Sequence, residues 1–173
     1  MPSLLATPPA YFDTCERTLR SEPRIERPKE VDPTWLNVAN SRVLRQNDKI
    51  ETLQANILEL SLWQNNWNGY GSPRPSIVAI AAARAIVNRF QTFTVLPEKA
   101  TASADGGVAL IFVGQDKQRA VIESFGTEDD YILLYDTEGS SRTLPWPQEE
   151  EAQNEVLTEL QSYLRGIQVA PRS

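Results

Sequence analysis

Apolar residues recur at helical spacing through the middle of the chain. Residues 34–68 contain no glycine and no proline, so no helix-breaking residue interrupts that stretch. The spacing predicts a helix from about residue 38 to residue 64, with one apolar stripe facing a core. The stripe consists of Ile50, Leu53, Ile57 and Leu60. The first half of this helix is polar, so we expect it to project from the domain or to pair with a partner helix.

A stretch rich in aromatic residues, glycine and proline follows at residues 63–75. Asn68, Gly69 and Gly71 tolerate positive φ, and Pro73 prevents the first helix from continuing. Ser72 or Ser76 can cap a second helix, which is predicted over about residues 76–92. Its alanines would let a neighbouring helix approach closely. The residues expected on its core side are Ile77, Ile80, Ala83, Val87 and Phe90.

After residue 100 the period changes to two, which is typical of strands. Strands are predicted at 100–104, 108–113, 117–125 and 131–136, with a short fifth strand as an option at 141–144. Connections this short imply an antiparallel meander. Pro145-Trp146-Pro147 ends the sheet, and a last helix is predicted over 149–165, stopped by Gly166. Its inward residues would be Val156, Leu157, Leu160 and Leu164.

This order of elements predicts an α+β, two-layer domain: a helical hairpin, a four- to five-stranded antiparallel meander and a C-terminal helix. Residues 38–166 would form this single domain, and 167–173 a tail. Residues 1–37 hold six of the twelve prolines and no glycine. We expect them to be an arm that is poorly ordered or ordered by a partner. Tyr11, Phe12 and Trp35 are its candidate contact residues.

Composition narrows the class of function. The net charge of −6 argues against broad nucleic-acid binding, which needs a basic surface. The charge is uneven: residues 1–37 carry −1, residues 38–100 carry +3 and residues 101–173 carry −8. No long apolar run and no signal-peptide pattern occur, and Cys15 is the single cysteine, so we expect a cytoplasmic protein that does not enter a membrane.

The residues on which most enzymes depend are scarce. Histidine is absent, which removes the commonest general base and His-ligated zinc, and one cysteine removes the usual zinc and iron–sulfur spacings. No phosphate-binding glycine motif with its lysine is present. The carboxylates Asp105 and Asp129-Asp130 are expected to be solvated turn residues, and an edge or solvent-facing strand position would explain Glu123. We therefore expect no catalytic residue, no cofactor, no metal and no small-molecule ligand.

The aromatic residues of the turn remain open to two interpretations. Trp67 and Tyr70 can fill the core or anchor an interface, since large aromatic residues dominate both. Trp63 and Trp67 are four residues apart and would share a helix face if the first helix extended that far. Asn66 and Asn68 are expected to satisfy the turn backbone with side-chain hydrogen bonds.

Two separated motifs resemble a known group of proteins. N-W-N-G-Y-G-S occupies residues 66–72, followed by Pro75-Ser76, and D-G-G-V-A-L-I-F occupies residues 105–112. The arrangement is similar to small bacterial proteins of uncharacterised function, with the pattern N-W-D-G-x-G-A-x-x-P-S, a helix and a D-G-G-[VI]-x-L-x-W strand. Here Asn68 replaces the usual Asp and Phe112 the usual Trp. The resemblance covers about residues 60–125 and implies the fold and a bacterial source, but no enzyme class.

These observations predict a non-catalytic bacterial protein–protein interaction module, such as an accessory subunit, an adaptor or an antitoxin/immunity-type inhibitor. We expect its partner to be a different protein in preference to a second copy of this chain. The candidate surfaces are the N-terminal arm, the acidic sheet, Arg42 and Arg45 on the projecting half of the first helix, and Trp67 and Tyr70 in the turn. The alternatives are a self-assembling structural protein and a carboxylate-dependent hydrolase or metal enzyme that would use Asp105 or Glu123.

Overall fold

The computed structural model describes residues 33–136 and 138–166, with side chains from residue 41 onward. Helix α1 spans Pro33–Leu60, helix α2 spans Ile77–Arg89, and a single 3-10 turn, Phe90–Thr92, extends α2. The strands are β1 (Lys99–Ala102), β2 (Val108–Val113), β3 (Arg119–Ser124), β4 (Tyr131–Tyr135) and β5 (Ser141–Pro145), and helix α3 spans Glu150–Leu164. The predicted α+β fold is confirmed, including the optional fifth strand.

Helix α1 differs from the prediction at both ends. It begins at Pro33 rather than near residue 38, because proline is well tolerated in the first turn of a helix. It ends at Leu60 rather than near residue 64. Beyond Leu60 the N–H groups of Ser61, Leu62 and Trp63 each bond to a carbonyl three residues back, so the helix tightens into turns before the chain reverses.

Helix α2 begins as predicted and buries a different face. The Ser76 hydroxyl accepts a hydrogen bond from the Ala79 N–H at 3.0 Å, which caps the first turn. The buried residues are Ala79, Ile80, Ala83, Ile86 and Val87. Ile77 was predicted to face the core, and that prediction is wrong, because its side chain is 83% exposed. At 3.6 residues per turn Ile77 lies about 120° from the centre of the buried arc.

The five strands lie in sequence order, and each pairs with the next in an antiparallel ladder. Short connections leave adjacent strands no other arrangement, so the meander follows from the spacing of the turns. One row of paired residues crosses the whole sheet on the face that packs against the helices. It consists of Ala100, Leu110, Ile122, Ile132 and Leu144.

The core lies between this face and the helices. The ring centroids of Phe90, at the end of α2, and Phe112, in β2, are 5.3 Å apart. Three leucines of α3 are buried in the same cluster: Leu157, Leu160 and Leu164. Val156, which was also predicted to face inward, is half-buried. The predicted stop at Gly166 is confirmed, because its N–H bonds to the Tyr163 carbonyl at positive φ.

Helix α1 packs against α2 in the opposite direction, which makes the predicted helical hairpin. The Gln46 side-chain amide donates to the carbonyls of Phe90 and Phe93, and the Gln54 amide donates to the Arg84 carbonyl. The predicted apolar stripe of α1 is buried in the same core cluster as the residues of α2. Within the described ranges no helix is long and apolar enough to cross a membrane.

The loop between β3 and β4 is built around Asp130. This carboxylate was predicted to be a solvated turn residue, and that prediction is wrong, because Asp130 is only 5% exposed. Its oxygens accept hydrogen bonds from the N–H groups of Phe125 and Gly126 and from the buried Ser124 hydroxyl. The neighbouring Asp129 is exposed as predicted. Asp130 is therefore a structural acceptor for backbone donors that the loop would otherwise leave unpaired.

The pair Asp130 and Asp129 offers a matched test of this role. We expect Asp130→Ala to lower the free energy of unfolding by about 2–3 kcal/mol, because buried donors lose their acceptor. Asp129→Ala should change it by no more than about 0.5 kcal/mol, as an exposed surface substitution usually does. Urea unfolding followed by tryptophan fluorescence measures both. Equal effects of the two substitutions would contradict the assignment.

Candidate functional site

The turn that joins α1 to α2 is held by asparagine side chains. The Asn66 side-chain oxygen accepts from the Gly71 N–H at 2.7 Å, and the Asn68 oxygen accepts from the Tyr70 N–H at 3.0 Å. The Asn65 oxygen accepts from the Arg74 N–H at 3.0 Å. Asn66 has a φ of 63°, which asparagine tolerates better than most residues. The prediction that Asn66 and Asn68 satisfy the turn backbone is confirmed.

The two tryptophans of the turn pack inward and the tyrosine does not. Trp63 and Trp67 have ring centroids 5.0 Å apart and pack against the core, although α1 ends before either residue. The Trp67 indole N–H donates to the Pro73 carbonyl at 3.1 Å. Tyr70 is 92% exposed. Trp67 and Tyr70 were the two candidate interface residues of the turn. Tyr70 is accessible and Trp67 is half-buried.

The turn also packs against the hairpin between β1 and β2. The Ser76 N–H donates to the Gly106 carbonyl at 3.0 Å. Gly106 has a φ of 86°, and a Cβ atom there would lie 3.2 Å from the Pro73 ring. The two motifs on which the family resemblance depends are therefore in direct contact, although more than thirty residues separate Asn66 from Asp105 in the chain.

A groove of about 850 Å³ lies beside this turn, between the end of α1 and the first turns of α2. We call it the α1–α2 groove. Its apolar residues are Leu58, Pro75, Ile77, Ile80 and Ala81. Its polar residues are Ser61, Asn65, Arg74, Ser76 and Arg84. Ile80 is buried at 6% exposure, whereas Leu58 is 45% exposed and Ile77 is 83% exposed. The groove therefore has a packed floor and aliphatic side chains that project into solvent.

The charge of the groove is positive. Among the described residues that line it, Arg74 and Arg84 are the only charged ones. The Arg84 Nε donates to the Gln54 side-chain oxygen at 2.6 Å, which holds the guanidinium beside α1. Within residues 33–136 and 138–166, neither arginine forms an ion pair. No acidic side chain among the described residues neutralises these two positive charges.

The other candidate residues lie elsewhere or outside the description. Tyr11 and Phe12 lie outside the described residues, as does the side chain of Trp35. Arg42 and Arg45 are exposed on α1. Arg45 precedes Leu58 by thirteen residues, so about 20 Å of helix separates them at 1.5 Å per residue. The structure thus does not bring the two arginines to the α1–α2 groove.

The residues of the groove were not identified from sequence. Leu58, Ile77, Arg74 and Arg84 belong to no motif of their own. The one available signal was the angular position of Ile77, which falls outside the arc formed by the other four residues predicted for the core side of the second helix. That signal is weak at the first residue of a helix, because an arc defined by a few side chains has uncertain limits there.

Glu123 is an acidic residue within strand β3, on the sheet face opposite the helices. It pairs with Ala109 on β2 and with Tyr131 on β4. An edge or a solvent-facing position was predicted. The edge position is wrong, because β3 is the middle strand of five, and on its face of the sheet Glu123 is half-buried. Burial raises the pKa of the Glu123 carboxyl above its ordinary value of 4.5, while a hydrogen bond with Ser103 lowers that pKa and the charge of Asp105 raises it. Among the described residues, no group of three or more His, Cys, Asp or Glu side chains is placed to hold a metal ion.

Comparisons of this chain with protein-family models, with curated proteins and with solved structures find no match. The resemblance to small bacterial proteins therefore stays a prediction. The α1–α2 groove is the candidate functional site on the strength of its own geometry.

Substitutions at Ile77 and Ile80 test whether Ile80 belongs to the packed floor of the groove and Ile77 to its exposed rim. We expect Ile80→Ala to lower the free energy of unfolding by about 2–4 kcal/mol, as is usual when a buried isoleucine is truncated. Ile77→Ala should change it by no more than about 0.5 kcal/mol, because its side chain is already in solvent. Chemical denaturation measures both. A large loss at Ile77 would show that its side chain is part of the core.

Glu123→Gln tests the effect of burial on the carboxyl. Because the folded-state pKa is raised, the stability linked to this group is full below about pH 4.5 and is lost as pH rises through the folded-state value. Glutamine keeps the shape and an acceptor for Ser103 but does not ionise. We expect the variant to be more stable than the wild type at about pH 7, and the difference to shrink toward about pH 4.

Urea unfolding at the two pH values measures the effect, with the exposed Glu128→Gln as the control. A difference between wild type and Glu123→Gln that stays constant with pH would contradict the raised pKa.

Proposed function

We propose that this chain is a non-catalytic protein-interaction module of the bacterial cytoplasm, which binds another protein through the α1–α2 groove. Accessory subunits, adaptors and inhibitors of the immunity type act in this way. The observation that carries the proposal is the pair of aliphatic side chains, Leu58 and Ile77, that project into solvent beside a packed apolar floor.

Burial of these side chains would supply binding energy. Full burial of an aliphatic side chain contributes about 1.5–3 kcal/mol. Leu58 and Ile77 could each contribute part of that amount, while Ile80 and Pro75 beneath them are already packed and would need little rearrangement. An interface needs a few such anchors around which the remaining contacts exclude water.

The order of the adjacent turn supports the proposal. Asn65 fixes the backbone of Arg74 at the edge of the groove, and Asn68 fixes the backbone of Tyr70. A partner would therefore meet a rim that is already held in place, which lowers the entropy lost on binding. Tyr70, whose ring is almost fully exposed, is an additional contact that a partner spreading beyond the groove would reach.

The chemistry of the groove favours binding over catalysis. The described residues that line it include no aspartate, glutamate, histidine or cysteine, so they offer no ordinary general base and no thiol nucleophile. The Ser76 hydroxyl is engaged as the N-cap of α2. A protein surface would cover the exposed Leu58 and Ile77 together with the packed floor.

Photo-crosslinking from the rim tests the proposal. A benzophenone side chain replaces Ile77 in the full chain, and the matched control carries it at Val113, an exposed strand residue that does not line the groove. We expect position 77 to crosslink one defined protein in the native bacterial host, and position 113 not to crosslink it. Ile77→Asp should abolish co-purification of that protein, and Val113→Asp should not.

Three outcomes would overturn the proposal. Crosslinks from position 77 to a second copy of the chain would favour the self-assembling alternative. Crosslinks within the same chain would show that the groove is covered internally. Identical products from positions 77 and 113 would show that the groove has no selectivity.

A further inference from the structure

We infer that the partner of the α1–α2 groove is an amphipathic helix that presents apolar side chains to the groove and acidic side chains to its rim. This inference rests on the proposed function and specifies the chemistry of the partner. It follows from two properties of the groove: the spacing of its residues on α2 and the sign of its charge.

The spacing indicates a helical partner. Ile77, Ala81 and Arg84 are separated by four and three positions, so they form one ridge along the exposed side of α2. Leu58 of α1 and Ser61 in the turn after it face this ridge across the groove. A groove between two helices, with a small alanine in the middle of one ridge, admits the ridge of a third helix.

The charge indicates an acidic partner. Arg74 and Arg84 both line the groove, no acidic residue does, and neither arginine has an ion-pair partner within the described ranges. Carboxylates are the groups that a guanidinium pairs with most favourably in proteins. This local preference runs against the net charge of −6 on the whole chain, which would otherwise repel an acidic ligand.

The acidic helix α3 of a second copy does not meet these requirements. It carries glutamates, but its Leu157, Leu160 and Leu164 are buried in the core. Two of its glutamates already pair within the chain, Glu150 with Arg89 at 3.1 Å and Glu159 with Arg142 at 2.9 Å. Helix α3 of a second copy therefore does not supply the exposed amphipathic helix, and the inference assigns that helix to a different protein.

The test uses two synthetic helical peptides that share leucines on one face and carry either glutamates or lysines on the other. Fluorescence anisotropy measures their affinity for the full-length protein. We expect the acidic peptide to bind more tightly than the basic peptide, and the difference to fall with added salt. Because the whole protein is acidic, a preference for the acidic peptide can arise only from a local positive surface.

Reversing the charge of both Arg74 and Arg84 tests whether these two side chains select the acidic peptide. We expect Arg74→Glu combined with Arg84→Glu to lower the affinity for the acidic peptide about tenfold and to reverse the preference, because two attractions become repulsions. The control is Lys99→Glu combined with Arg119→Glu, two exposed strand residues outside the groove. It changes the net charge by the same amount and should preserve the preference.

The outcomes separate this inference from the proposed function. If the wild type prefers the basic peptide or binds neither, or if both double variants behave alike, the acidic-helix inference is overturned. If both peptides bind equally and Ile77→Asp abolishes binding, the groove accepts apolar segments without selecting charge. In either case the crosslinking from position 77 still decides whether the groove binds a protein.

Discussion

The contact between Phe90 and Phe112 is the interaction on which the rest of the fold depends. Both rings are buried, and they join the end of α2 to the second strand of the sheet. Aromatic side chains remove more apolar area from water than most others, so this contact dominates the junction. The carbonyl of Phe90 also accepts a hydrogen bond from Gln46 of α1. One residue therefore connects both helices of the hairpin to the sheet.

The turn between α1 and α2 holds the adjacent edge of the α1–α2 groove in a fixed position. A chain that leaves a long helix and reverses within a few residues leaves backbone donors unpaired, and Asn65, Asn66 and Asn68 supply the acceptors. The same turn rests on the β1–β2 hairpin through the bond between Ser76 and Gly106. The rim of the α1–α2 groove is thus held from two directions. Its shape is a consequence of packing in the turn, and the apolar side chains of Leu58 and Ile77 beside it remain exposed.

Charged side chains form ion pairs at helix α3 but not at the α1–α2 groove, as far as the described residues show. Glu150 and Glu159 on the acidic helix α3 pair with Arg89 and Arg142, where they help to orient α3. Exposed pairs of this kind contribute about 0–1 kcal/mol each, so they adjust the packing and do not create it. Arg74 and Arg84 have no such ion-pair partners among the described residues, and both border the same apolar groove. Two of the seven basic residues in 38–100 are therefore collected at one apolar groove.

Local rules in the sequence determined most of the architecture. The strand period, the glycine turns and the short connections were sufficient for the order of five antiparallel strands. Ser76 as a cap and Gly166 as a stop depend only on backbone groups within a few residues. The asparagines of the turn were predictable for the same reason, since their hydrogen bonds reach no further than nine residues along the chain.

Only the tertiary structure decided which polar and apolar residues would be accessible. Asp129 and Asp130 are neighbours of one type, yet one is in solvent and the other is enclosed by the loop. Glu123 lies in the middle strand, and Ile77 projects into solvent from a helix whose Ile80, Ile86 and Val87 are buried. Trp63 and Trp67 meet although the helix expected to align them ends at Leu60. In each case exposure depends on neighbours that are distant in the chain, and a pattern read along the sequence does not contain their positions.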